Sequence, residues 1–169
     1  GDRIISIPWL KTKNSGKKYR GMMGIPREFS LCGTGKNCVL IQKPVCELEN
    51  KKRKVYSAVG KNTEYDVNEN IPFEVDIEFC DENNESRLRI QDLLISARDN
   101  IITVGDESIV LKDRIKNISV IVDKYVVEIS ANDYTEYIPA ECDISDLRGS
   151  ICAESDADMK TDIYYYDIN

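Results

Sequence analysis

Apolar and polar residues alternate with a period of two along most of this chain, and the phase of the alternation marks out its strands. The cleanest run covers 72–79, where Phe73, Val75, Ile77 and Phe79 share one face and Glu74, Asp76 and Glu78 the other. Further on, Ile118, Val120 and Val122 keep one phase, and Tyr125, Val127, Ile129 and Ala131 the opposite one. A slip of one residue within a single strand would turn the core face outward, so the pattern predicts a tight turn at Asp123-Lys124. A second turn at Asn132-Asp133 returns the chain through Tyr134 to Ile138, and Pro139 is expected to end this meander. Shorter strands are predicted over 3–9, over 54–59 with Gly60 as a stop, over 88–95, and over 100–104 and 108–112 around a Gly105-Asp106-Glu107 hairpin. Residues 62–70 read as a polar connection, and two last strands fall near 150–154 and 161–166. Helical periodicity is confined to a turn or so, with 143–148 the best candidate. Repeated strands between turn signals predict an all-β fold, a β-sandwich of two antiparallel sheets of the concanavalin or jelly-roll kind.

Ahead of that region lie two extended segments joined by a reversal. Gly21 and Gly24 interrupt any helix, Pro26 fixes φ, Gly33-Thr34-Gly35-Lys36-Asn37 supplies turn residues, and Pro44 closes the second segment where the composition changes.

At 169 residues, 41% hydrophobic and 31% charged, the chain can bury an ordinary core without staples. It has no apolar run approaching the ~20 residues of a membrane span. The net charge of −7 is unevenly spread: residues 1–60 hold 13 Lys/Arg against 4 Asp/Glu, the remainder 10 against 26, or +9 and −16. An acidic body argues against nucleic acid as a partner. The basic runs Lys17-Lys18-Tyr19-Arg20 and Lys51-Lys52-Arg53-Lys54 read as solvated turns, the sharper alternative being a phosphate or polyanion patch. Six cysteines form no C-x-x-C pair and histidine is absent, so no zinc site of the usual kind and no cofactor is expected. Cys32, Cys38 and Cys46 lie in strand-like segments and read as buried, reduced thiols, with Cys32 and Cys38 the one pair placed to bridge a turn. The first residues carry no signal-peptide pattern, but Gly1 is not an initiator methionine, so localisation is not read from that end, and the cytoplasm is only slightly favoured over secretion.

Three patches carry a resemblance. Tyr19-Arg20-Gly21-Met22-Met23-Gly24-Ile25-Pro26-Arg27-Glu28-Phe29-Ser30-Leu31, resuming as Leu40-Ile41-Gln42-Lys43-Pro44-Val45-Cys46-Glu47-Leu48, is similar to the segment that joins propeller to sandwich in family-32 glycoside hydrolases, the β-fructosidase group of invertases, levanases and sucrose-6-phosphate hydrolases. Residues 1–10 resemble that family's G-R-R-I-x-I-G-W-M, and 122–133 its V-D-R-S-S-V-E-V-F-A-N-D-G. The resemblance implies a five-bladed propeller that performs the chemistry, followed by a sandwich. Residues 1–43 would be a remnant of the last blade with its linker, and 44–169 the C-terminal sandwich module.

Retaining glycosidases work with two carboxyl groups roughly 5 to 5.5 Å apart across the scissile bond. In the family the nucleophile belongs to an N-D-P-N segment and the acid/base to W-E-C-P, with a further transition-state carboxylate in R-D-P, all in the propeller, and none of these segments occurs here. Glu141-Cys142 and Arg98-Asp99 reproduce only dipeptides of those motifs and read as turn residues. No catalytic residue and no metal ligand is assigned. By resemblance Trp9, the only tryptophan, aligns with a residue lining the propeller's sugar pocket; as a residue of this chain it reads as a packed or interface aromatic. Glu128 is expected to satisfy neighbouring donors, and Tyr164-Tyr165-Tyr166 to form an edge strand at the propeller junction rather than a sugar platform. The expected function is a non-catalytic module supporting the propeller of a sucrose- or fructan-hydrolysing enzyme, with the propeller as partner. The alternatives are a free-standing fructan- or fructose-binding module and a plain interaction module, and a homodimer is a further partner the reading admits.

Overall fold

The computed structural model describes residues 2–11, 21–81 and 85–168. An N-terminal unit holds β1 (Ile4–Ser6), β2 (Trp9–Lys11), β3 (Gly21–Met23), β4 (Arg27–Cys32) and β5 (Val39–Pro44), and a single helical turn, α1 (Cys46–Glu49), leads out of it. Next come β6 (Lys52–Val67), β7 (Phe73–Phe79), β8 (Glu85–Ile90), β9 (Leu93–Arg98), β10 (Ile101–Val104) and β11 (Glu107–Val110). The chain closes with β12 (Asn117–Asp123), β13 (Val126–Ala131), β14 (Glu136–Glu141) and β15 (Gly149–Tyr166).

Two long strands build the sandwich. β15 pairs with β6 along one side throughout, and along the other with β8 as far as Ser155 and then with β7 from Met159. The register shift between Glu154 and Met159, opposite Gly60, is where this pair passes from one layer to the other. One layer continues β8-β9-β10-β11, the other β7-β12-β13-β14, all antiparallel. Phe73, Val75 and Ile77 of β7, with Val120, Val122, Val127 and Ile129, meet Leu88, Ile90, Ile95 and Ile102 of the other layer in one core. Each such side chain contributes about 1.5 to 3 kcal/mol on burial, which is why the two-residue period decides the register.

Several expectations are corrected by the long strands. Gly60 does not stop β6, and 62–67 is strand rather than connection, because β6 must follow β15 into the second layer. The two closing strands are halves of β15, so Tyr164-Tyr165-Tyr166 lies in a central strand with partners on both sides, not at an edge. β14 runs through Pro139 to Glu141. It ends its layer, and an edge strand tolerates a residue without an N–H. Residues 3–9 split into two strands in different small sheets, with Ile7 and Pro8 between them. Residues 143–148 are irregular, and the helical turn is α1 instead. The first meander turn falls one residue later than expected, on Lys124-Tyr125, with Lys124 left-handed at φ 52° and Asp123 paired to Val126. Asn132, Asp133 and Tyr134 are left-handed in succession, which makes the second turn a longer one than a two-residue hairpin.

The thiols are also placed differently. Cys32, Cys38, Cys46 and Cys80 are exposed, Cys142 alone is buried, and none of the six is in a disulfide. Cys32 and Cys38 sit at the exposed tip of the β4–β5 hairpin, which has no core to hide them.

Candidate functional site

The feature that organises the chain is the joint between the N-terminal unit and the β13–β14 face of the sandwich. β13 is buried at all six positions, although only every second residue can face the core. Val127, Ile129 and Ala131 point inward; Glu128 and Ser130 are covered from outside. At the centre is an ion pair: Arg27 of β4 donates from Nη2 and Nε to Glu128 Oε2 at 2.9 and 3.2 Å, and both side chains are 1% exposed. The remaining donors are also used, Arg27 Nη1 reaching the Gln42 carbonyl at 2.9 Å and Ser130 Oγ at 3.1 Å. Glu128 accepts further bonds from the Ile25 N–H at 2.6 Å and the Tyr137 hydroxyl at 2.8 Å. The Arg27 guanidinium lies 4.1 Å over the Tyr137 ring, an arrangement that suits its planar charge. Burial, with the Glu128 charge beside it, pushes the Tyr137 hydroxyl up, so it remains a donor.

Close approach of the two backbones depends on Gly24. Its N–H bonds the Pro8 carbonyl at 2.8 Å, and a Cβ there would lie 2.7 Å from Pro8 Cγ and 3.0 Å from Glu128 Oε1. The Pro26-Arg27 and Val127-Glu128 patches of the sequence are thus two sides of one contact.

Trp9 stands on β2, 68% exposed, with its ring laid across Gly21; a Cβ on Gly21 would come within 2.5 Å of it. It borders a hollow of about 150 Å³ shared with Met22, Val126 and Pro139. Around it the N-terminal unit presents Ile4, Ile5, Ile7, Met23, Leu31, Val39 and Leu40, all more than 40% exposed. These, with Trp9, make up eight of the thirteen exposed large hydrophobic residues among the described residues, although they come from the first 40 positions. The strand unit is thus thinly covered on both sides, since strand neighbours such as Ile4 and Ile5, or Val39 and Leu40, point in opposite directions. Among the described aromatic residues only Trp9 is exposed, and neither sheet of the sandwich displays a stacking platform.

The dipeptides set aside in the sequence stand apart from one another, Glu141 at the end of β14 and Arg98-Asp99 at the β9–β10 turn. A pair of carboxyls does come together on β7. Glu74 is 0% exposed and accepts from Lys52 Nζ at 2.7 Å, Ser119 Oγ at 2.5 Å and the Tyr166 hydroxyl. Asp76, two residues along the same face, borders a hollow of about 260 Å³ with Ser119, Tyr134, Lys160 and Asp162, but Glu74 does not line it. The two acids sit side by side on one strand rather than facing each other across a cleft, so they lack the opposed geometry of a glycosidase pair. Of the three carboxylates turned away from the core, Glu78 is exposed, Asp76 is half-buried, and Glu74 is fully buried because Lys52, Tyr166 and Ser119 close over it. The basic run at 51–54 is likewise not a solvated turn. Lys52 pairs with Glu74 and Glu49, Arg53 with Glu69 and Asp167, and Lys54 with Asp162. The run 17–20 lies outside the described residues. Among the described residues no group of three or more His, Cys, Asp or Glu is placed to hold a metal ion.

An antiparallel sandwich with a small strand unit clamped on one outer face defines the class of structure. No protein-family model matches the chain, and none of the curated proteins does. Solved structures do. The chain is similar to an exo-inulinase from Aspergillus awamori at 18% identity and TM-score 0.72, covering 96% of this chain and 40% of that one. It is similar to a glycoside hydrolase of family 32 from Bifidobacterium adolescentis at 17% identity and TM-score 0.74, covering 97% and 29%. A sucrose-6-phosphate hydrolase from Lactobacillus gasseri matches at 13% identity and TM-score 0.66, covering 98% and 39%. The chain therefore has the fold of one part of the family-32 glycoside hydrolase structures, and it spans 29 to 40% of the length of these three.

Proposed function

We propose that this chain is the non-catalytic C-terminal sandwich of a β-fructofuranosidase-type glycoside hydrolase, carrying the last strands of a catalytic propeller as its N-terminal unit. Residues 1–43 form the blade remnant and linker, and 44–169 the module. The observation that carries the reading is the exposed apolar surface of the N-terminal strand unit: eight large hydrophobic side chains among the described residues are exposed there, on both sides of its thin sheets, while the sandwich next to them buries a core of its own. In this reading the propeller covers that surface, Trp9 lines the sugar pocket once it does so, and the sandwich supports the enzyme that splits sucrose or a fructan. The Arg27–Glu128 pair then fixes the angle at which the sandwich hangs from the propeller. The lack of an exposed ring on either sheet counts against a free-standing fructan-binding module, since sugar faces stack on aromatic ones.

The test uses the chain alone. An uncovered apolar face binds a hydrophobic dye and drives concentration-dependent self-association. Replacing Ile4 and Leu31 by Ser should abolish both while leaving the strand signature in circular dichroism unchanged. A wild-type chain that is monodisperse at high concentration and silent toward the dye removes the docking face and the reading with it.

A further inference from the structure

A second group of buried polar side chains lies where α1 and β5 meet the sandwich, away from the Arg27–Glu128 joint. Glu74 already holds three donors, Lys52, Ser119 and Tyr166. Asp76 stands beside it with Oδ1 buried and no hydrogen-bond partner. Glu49 Oε1 of α1, also buried without a hydrogen-bond partner, lies 3.0 Å from the same Lys52 Nζ, so one ammonium is shared by two carboxylates in contact, with the charge of Asp76 nearby. The other cations nearby are engaged: Lys54 and Lys160 both bind Asp162, and Lys43 of β5 lies over the Tyr134 ring. Glu78 and Asp133 border the hollow beside Asp76 and add negative charge, while Tyr134, Tyr164 and Tyr166 are all shifted toward the neutral phenol by burial first. Two adjacent buried carboxylates would repel each other and leave an oxygen unsatisfied. A single proton removes both faults, because a protonated Asp76 donates to Glu74.

We propose that Glu74 and Asp76 share one proton, and that this proton clamps α1 and β5 onto the sandwich so that the clamp tightens as the medium becomes more acidic. The linkage runs through named contacts. With the proton in place Lys52 serves Glu74 and the Glu49 of α1; without it Asp76 competes for the same ammonium. On the other side of the cluster the Tyr134 carbonyl accepts the Gln42 N–H of β5 at 3.0 Å. Burial, then the charge of Glu74, pushes the Asp76 carboxyl from its ordinary 3.8 up to about 8. Between those two values the closed form keeps a proton that the open form has lost. Opening therefore becomes about tenfold easier for each pH unit gained in that window, and levels off above it. This inference is a property of the chain itself and does not depend on a propeller being its partner.

Hydrogen exchange of the amides in 42–52, measured on the full chain from pH 5 to pH 8 and corrected for intrinsic exchange, reads the clamp. The expected result is an opening constant that rises by about tenfold per pH unit in the wild type and stays flat in Asp76→Asn, whose amide donates to Glu74 without titrating. Carbon NMR of the side-chain carboxyls in the wild type gives an independent reading, with one carboxyl titrating near pH 8 and missing from Asp76→Asn. Protection that ignores pH, a slope retained in Asp76→Asn, or a wild type whose carboxyls all titrate below pH 6 overturns the proposal. Should Asp76→Asn not fold, the wild-type titration decides in the same way.

Discussion

Replacing Arg27 by Met keeps the length of the side chain and removes its charge. It deletes the two bonds to Glu128 and those to the Gln42 carbonyl and Ser130 Oγ, in a place where both ion-pair partners are 1% exposed. Glu128 would keep the Ile25 N–H and the Tyr137 hydroxyl, so the carboxylate would stay hydrogen-bonded but uncompensated. Breaking a buried pair from one side costs about 3 to 5 kcal/mol. In a chain of this length that lowers the melting temperature by on the order of 10 °C. Converting both partners, Arg27→Met with Glu128→Leu, should recover most of the loss, because desolvation of the pair offsets much of its attraction. Urea denaturation followed by both Trp9 fluorescence and far-ultraviolet circular dichroism separates the joint from the sandwich, since Trp9 belongs to the N-terminal unit. A single variant within about 1 kcal/mol of wild type at pH 7, or a double variant whose loss equals the sum of the singles, refutes the reasoning.

Truncating the core at Phe73→Ala, a residue with no exposure, should cost about 3 to 5 kcal/mol in the same denaturation experiment. A loss under 1 kcal/mol would mean the two layers do not close on β7. Gly21→Ala places a Cβ 2.5 Å from the Trp9 ring, so the indole must move; a shifted emission maximum and lower anisotropy are expected, and an unchanged spectrum contradicts the packing. Against burial, which alone would raise it, Lys52, Ser119 and Tyr166 hold Glu74 below its ordinary 4.5. Its contribution is therefore present above that value and lost on acidification below it. Together with Asp76, whose contribution fades upward toward about 8, this places the stability maximum near pH 5. A maximum at or above pH 7 in thermal melts would contradict the pairing.

The strands with strict alternation were readable from the sequence because each buries one face only: β7, β12 and β13 begin and end within a residue or two of the expected positions. What escaped were features set by a distant partner. β6 and β15 look like three short strands and a polar connection because Gly60 and the shift after Glu154 interrupt their pattern, and only the crossing between layers makes each continuous. Glu74 shares its phase with Asp76 and the exposed Glu78 and gives no local sign that Lys52, 22 positions earlier, and Tyr166, 92 later, will cover it. The joint was half legible. The Pro26-Arg27 and Val127-Glu128 patches stood out by resemblance, but that they touch is a fact of the fold. A rule of thumb was available, since an Arg in a strand-like segment and a Glu amid Val and Ile each need a buried partner of opposite sign.

The account rests on the chemistry of fructoside cleavage lying outside this chain. The most direct measurement is the release of free fructose from sucrose, inulin and levan by the purified chain at high concentration over a day. The expected result is release no greater than the enzyme-free blank. Release above the blank that disappears when Asp76 or Glu74 is replaced by its amide would place the reaction in this chain and contradict the account.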